Sequence, residues 1–197
     1  MTTLILASGS AARRQMLSAA GLTFEVVAPR VDEEAVKASL RADGLAPRDQ
    51  AGALAEIKAL SVSRSGSAFV VGADQMLALG GEVFDKPKNA EEARRQLQHL
   101  RGQTHALITA AVVACDGAVI WRHTDTPKLR MRAFSDGFLD EYLAQAGDAV
   151  LHSVGAYQLE GLGAQLFDRV EGDYFSVLGL PLLPLLSFLR EHSVVRA

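Results

Sequence analysis

Ser8-Gly9-Ser10 followed at once by Arg13-Arg14 is a set of groups suited to holding an anion. A short apolar run, Leu4-Ile5-Leu6-Ala7, leads into it, and the pattern then turns helical. A strand feeding a tight loop into a helix presents unpaired N–H groups at the positive end of the helix dipole. Arginine adds planar, charge-assisted hydrogen bonds to phosphate oxygens. A phosphorylated ligand follows as the first expectation. The loop is neither a GxxxxGK[ST] nor a GxGxxG motif, so taken alone it reads equally as an N-cap beside two solvated arginines.

Carboxylates and lysines add to it. Asp74 directly follows the apolar run Phe69-Val70-Val71-Gly72-Ala73, which reads as a buried central strand. A carboxylate at the carboxyl end of such a strand sits where α/β sheets bind ligands. It suits a metal or a water there. Asp32-Glu33-Glu34 offers further oxygens, and hard cations such as Mg²⁺ take carboxylate and phosphate oxygens together. By itself, the acidic triplet is ordinary charge at a helix start. Lys58 falls on the apolar face of its helix, and Lys86 precedes Pro87; both suit a polyphosphate, with snorkelling and plain exposure as the bland alternatives. The five histidines show no metal-ligand spacing. Trp121 reads as packing.

The elements that must position these groups alternate between strand and helix in the first half. Ser10 caps a helix running to about Leu17–Ala20, with Gly21 to end it. Thr23–Ala28 reads as a strand. Pro47 opens a helix through about Ser63, with Ala51, Leu54, Ala55, Lys58 and Val62 on one face. Gly80-Gly81 and Asp116-Gly117 mark hairpins. Asn89 with Glu92 starts a helix to about Leu100. Lys128–Phe134 alternates like a strand with one wet face. Ser135 caps a helix through about Ala146, and a strand is expected around Ala164–Val170. Pro181 opens an apolar C-terminal helix. The fold class expected is α/β with a mixed sheet.

Composition narrows the partners. Of 197 residues, 49% are hydrophobic, enough for a full core. A net charge of −3 disfavours a nucleic-acid partner. The single cysteine, Cys115, has no internal disulfide partner and reads as a buried small hydrophobe. With no signal-peptide pattern and no apolar run of membrane-spanning length, a cytoplasmic setting away from membranes is expected.

These motifs occur in the order and form of one family. The chain resembles the Maf, or septum-formation-inhibitor, family of nucleotide pyrophosphatases almost end to end. The resemblance rests on Leu6-Ala7-Ser8-Gly9-Ser10…Arg13-Arg14, Asp32-Glu33, Leu54-Ala55…Lys58-Ala59, Gly72-Ala73-Asp74-Gln75 and Lys86-Pro87. It continues through Gly102-Gln103-Thr104-His105, Gly155-Ala156-Tyr157…Glu160-Gly161-Leu162-Gly163 and Val177-Leu178-Gly179-Leu180-Pro181-Leu182. It implies one Maf-like domain over residues 1–197, a two-lobed mixed-sheet fold similar to inosine triphosphate pyrophosphatases with a deep central cleft. A homodimer and a house-cleaning role in nucleotide metabolism are also implied.

The activity so implied is metal-dependent hydrolysis of a nucleoside triphosphate to the monophosphate and pyrophosphate, using Mg²⁺ or Mn²⁺. Asp74 takes the part of general base. Ser8, Ser10, Arg13, Lys58 and Lys86 line the phosphates, and Glu33 joins Asp74 at the metal; Arg14, beside Arg13, is a further candidate for the phosphates from the arginine pair itself. Two subgroups are distinguished by the residue after the aspartate and by the position of Glu160. Gln75 and Glu160 match the 7-methylguanosine triphosphate subgroup rather than the thymidine and uridine triphosphate one. Ala12 stands where the first of these usually has tryptophan, which removes a stacking surface for the base. The alternative from another class is a non-catalytic nucleotide-binding regulator of cell division, which would keep the arginine loop but could do without Glu33 and Asp74.

Overall fold

A computed structural model describes residues 3–64 and 66–196. The strand order is β2-β1-β3-β5-β7-β8, with β4 on β3 and β6 on β5, an open mixed sheet of the expected α/β class. The chain divides into two compact units, Met1–Gln75 with Thr109–Asp125 and Gly179–Ala197, and Met76–Ile108 with Thr126–Leu178. No helix among the described residues is long and apolar enough to cross a membrane.

In the first unit β1 (Leu4–Ala7) lies between β2 (Glu25–Val26) and β3 (Phe69–Leu79), parallel to both. Strands covered on both faces need continuous apolar runs, and those of β1 and β3 are such runs. Helix α1 (Ala11–Ala19) starts where expected: Ser10 Oγ accepts from the Arg13 backbone N–H. Helix α2 (Glu33–Ala42) is capped by Asp32, so the acidic triplet is a cap and a first turn. Helix α3 (Pro47–Val62) buries Ala51, Leu54, Ala55, Lys58 and Ala59. It lies hard against β3. A Cβ on Gly72 would stand 2.2 Å from the Ala55 carbonyl oxygen and 2.6 Å from the Ala59 nitrogen. Only glycine permits that approach, and it carries Lys58 onto the strand two residues beyond.

Two expectations change here. The Thr23–Ala28 strand shortens to Glu25–Val26, both exposed at the sheet edge. β3 does not stop before Asp74 but continues to Leu79, so Asp74 sits inside a strand rather than at its end. The residues after Asp74 are as apolar as those before it, and the Gly80-Gly81 hairpin, with both residues at positive φ, is what ends the strand.

β5 (Thr104–Cys115) and β6 (Ala118–Asp125) pair across the Asp116-Gly117 turn, and α7 (Leu182–Glu191) closes the unit. Trp121 stacks on Phe188 at 5.4 Å between centroids, a packing role as expected. Cys115 is half-buried rather than buried, because it ends β5 beside the turn.

In the second unit β4 (Glu82–Phe84), β7 (Lys128–Met131) and β8 (Phe167–Glu171) join the ends of β3 and β5. Helices α4 (Ala90–Leu100) and α5 (Asp136–Ala146) begin at Asn89 and Ser135, each side chain accepting a backbone N–H of the first turn. Leu97, Leu100, Leu107, Leu129, Met131 and Leu139 are fully or almost fully buried together. β8 starts at Phe167, three residues later than the sequence suggests, because Leu162–Leu166 forms a 3-10 turn. A short helix, α6 (Tyr174–Val177), capped by Asp173, has no counterpart among the sequence expectations.

His105 points into this core, 2% exposed, and burial pushes its pKa down to about 4. In the unfolded chain a histidine takes up its proton near its ordinary value of about 6.5. Between the two values the unfolded state binds more protons, so stability is kept above about pH 6.5 and lost as pH falls toward about 4. Urea unfolding is expected to show a loss of about 2 kcal/mol from this group between about pH 7.5 and 5. A His105→Gln variant should show that much less pH dependence over the same interval.

Candidate active site

Helix α1 and the loop before it present Ser8, Ser10 and Arg13. Ser8 Oγ accepts from the Ser10 backbone N–H at 3.2 Å, which folds the loop over itself. Arg13 is buried, 9% exposed, and does not reach outward as a free guanidinium. Its Nε donates to the Gly179 carbonyl at 2.7 Å. Its Nη1 donates to Ser8 Oγ at 3.2 Å and to the Ala73 carbonyl at 2.8 Å. Arg13 thus ties the loop, β3 and the Gly179 turn together through Nε and Nη1, and among the described residues no hydrogen bond is made by Nη2. Burial lowers its pKa, while the charges of Asp74 and then Glu33 act to raise it. Arg14, next along the helix, is exposed on another face.

Helix α3 and strand β3 bring the lysine and the carboxylates together. Lys58 Nζ lies 2.7 Å from Asp74 Oδ1 and 2.8 Å from Glu33 Oε2. Lys58 and Asp74 are 5% and 6% exposed; Glu33, in the first turn of α2, is partly exposed. The sequence placed Lys58 on an apolar helix face, and this triad explains why a lysine is there. Asp74 Oδ2 is buried and finds no hydrogen-bond partner among the described residues. A buried carboxylate oxygen without a partner is costly, and at a ligand site its partner is what binds.

Gln75 leaves β3 on the opposite face from Asp74, since strand side chains alternate. Its Nε2 donates to Thr109 Oγ1 at 2.8 Å. Ala12 is half-buried in the first turn of α1. In the second unit, Lys86 is exposed between β4 and α4, and Glu160 is exposed in a turn. The first unit therefore assembles Ser8, Ser10, Arg13, Glu33, Lys58 and Asp74 into one connected group. Sequence reasoning missed the carbonyls of Ala73 and Gly179, which carry no side-chain signal. It also passed over Thr109, although a threonine in the apolar run Ala106–Cys115 was readable as a buried hydroxyl with a partner.

Among the described residues, no three His, Cys, Asp or Glu side chains form a ready metal cage. The donor set nevertheless fits a hard divalent cation sharing its coordination with a phosphorylated ligand. Two carboxylates converge on one point, now bridged by an ammonium, and Asp74 keeps one oxygen without a partner.

The model of the family described as Maf-like protein matches residues 3–192, and the chain belongs to the Maf family. A nucleoside triphosphate pyrophosphatase of Hyphomonas neptunium is 55% identical over 190 residues, 96% of each chain. One from Paramagnetospirillum magneticum is 56% identical over 189 residues, 95% of this chain and 97% of its own. A 7-methyl-GTP pyrophosphatase of Rhizobium meliloti is 51% identical over 195 residues, 98% of each.

Proposed function

We infer that this chain hydrolyses a nucleoside triphosphate to the monophosphate and pyrophosphate. The observation that carries the reading is the Asp74 carboxylate, clamped at Oδ1 by Lys58 and unpartnered at Oδ2. Oδ2 takes the proton of a water whose oxygen forms the new bond to the α-phosphorus. The bond from that phosphorus to the α–β bridging oxygen breaks, and the electron pair leaves with pyrophosphate. Lys58, Lys86 and the free edge of Arg13 offset the charge on the leaving group. Ser8 and Ser10 orient phosphate oxygens, while Arg14, exposed on another face of α1, is given no part in the step. Glu33 and Asp74 would hold Mg²⁺ or Mn²⁺, which supplies charge neutralisation and a more acidic water.

For the base, the reading leans to a 7-methylguanosine-like nucleotide. Glu160 is the acceptor for an N–H on a guanine edge, and Gln75 supports that choice. Relatives named as 7-methyl-GTP pyrophosphatases, at 51% and 48% identity, are consistent with it. The test is pyrophosphate release from a panel of 7-methylguanosine, guanosine, uridine, thymidine and cytidine triphosphates with Mg²⁺. Pyrophosphate with the methylated nucleotide preferred is the expected result. A preference for uridine and thymidine triphosphates overturns the base assignment, and release from none of them favours a binding regulator.

A further inference from the structure

The segment that carries Glu160 is strained and pinned. Gly155 has φ +77° and Ala156 has φ +60°, two left-handed residues in succession, the second of them not a glycine. Such a conformation persists only where its surroundings enforce it, and it gathers at functional sites. Three bonds enforce it here. Tyr142 Oη donates to the Ala156 carbonyl at 3.0 Å, and Ser153 Oγ donates to the Tyr157 carbonyl at 2.6 Å. Tyr157 Oη meets His105 Nε2 at 2.7 Å, with both side chains buried. Phe167 packs edge-on against the Tyr157 ring.

Three residues beyond Tyr157 stands Glu160. Its turn is closed by the Gly161 N–H donating to the Gln158 carbonyl at 3.2 Å. Gly163 then folds back so closely that a Cβ there would lie 2.5 Å from the Gln158 carbonyl oxygen. The turn is thus anchored on both sides of Glu160, while Glu160 itself is exposed. His105 completes the anchor at a cost: its Nδ1 is buried and finds no partner among the described residues. A purely structural position is served better by an apolar side chain than by a half-satisfied imidazole.

We propose that the His105–Tyr157 hydrogen bond is a positioning device that fixes Glu160 for selection of the base. This rests on the reading of Glu160 as a base acceptor. The pair touches no substrate. It holds the backbone from which the selecting carboxylate projects, so its loss acts on discrimination between nucleotides rather than on the chemical step.

The test compares Tyr157→Phe, which removes only the hydroxyl, with His105→Gln, which keeps a polar partner for it, and with Glu160→Gln. Thermal melting confirms that each is folded. For Tyr157→Phe, KM for the preferred nucleotide is expected to rise about tenfold, the effect of one lost hydrogen bond. The kcat should hold, and the preference over the other nucleotides should narrow. His105→Gln, which leaves the Tyr157 hydroxyl a polar partner, should retain more of the preference than Tyr157→Phe does. Hydrogen exchange of the amides in 158–164 should accelerate in Tyr157→Phe. An equal loss for every nucleotide, or unaltered exchange in 158–164, overturns the proposal. Preference lost in Glu160→Gln but intact in Tyr157→Phe also overturns it. Preference intact in both overturns the reading of Glu160 itself, and the proposal with it.

Discussion

Asp74→Asn is expected to lower turnover by about 10²–10⁴, the range associated with loss of a positioned general base. The substitution keeps size and shape. Its amide oxygen still accepts from Lys58 Nζ, which now sits 2.7 Å from Oδ1 and is also held by Glu33. The amide nitrogen then takes the place of Oδ2, the buried oxygen without a partner. A donor stands where an acceptor is required, and no proton can be taken from water there. The fold should survive, because the clamp on the other atom is intact. Pyrophosphate release at saturating nucleotide, together with a thermal melt, separates the two effects. Turnover within about threefold of wild type in a folded variant would remove Asp74 from the role of base.

How far the sequence leads to this site depends on the scale of the interaction. Local chemistry was legible. Ser10, Asn89 and Ser135 cap the helices they were expected to cap, because capping is settled within four residues. Lys58 stood out because a charge on an apolar helix face needs a partner, though which partner was not readable. The answer depends on Gly72 letting α3 approach β3 to backbone contact, a fact of packing between segments far apart in the chain. The end of β3 was misplaced for a related reason. Asp74 looks like a strand terminator by its polarity, yet Lys58 neutralises it and the strand continues. The sequence offers Arg13 as a candidate phosphate ligand, but its bonds to Ala73 and Gly179 join carbonyls 60 and 166 residues away. Backbone acceptors leave no trace in side-chain pattern. The strain at Ala156 was equally hidden, since alanine is not a residue that announces a left-handed turn.

Lys58→Met tests the triad from the other side. Removing one member of a buried ion pair leaves an uncompensated charge and typically costs about 3–5 kcal/mol. Methionine matches much of the lysine stem in volume, so packing against Ala55 and β3 should change little and the loss should be electrostatic. An unfolding free energy lower by that amount, read as an earlier urea midpoint with an unchanged slope, is the expected result. Asp74 bears most of it, because it is 6% exposed whereas Glu33 is partly solvated. A divalent cation should then act differently on the two proteins. In wild type it competes with an ammonium already lying between Glu33 and Asp74. In the variant both carboxylates are unpaired and the same position is open. Binding to the folded state alone stabilises by about 2.7 kcal/mol at a concentration 100 times Kd. Excess Mg²⁺ or Mn²⁺ without nucleotide should therefore raise the melting temperature of Lys58→Met more than that of wild type. An equal rise in both would mean that the cation does not bind where Lys58 now sits. No rise in either would place the metal with the nucleotide's phosphates, leaving Lys58 as the resident cation of the carboxylate pair.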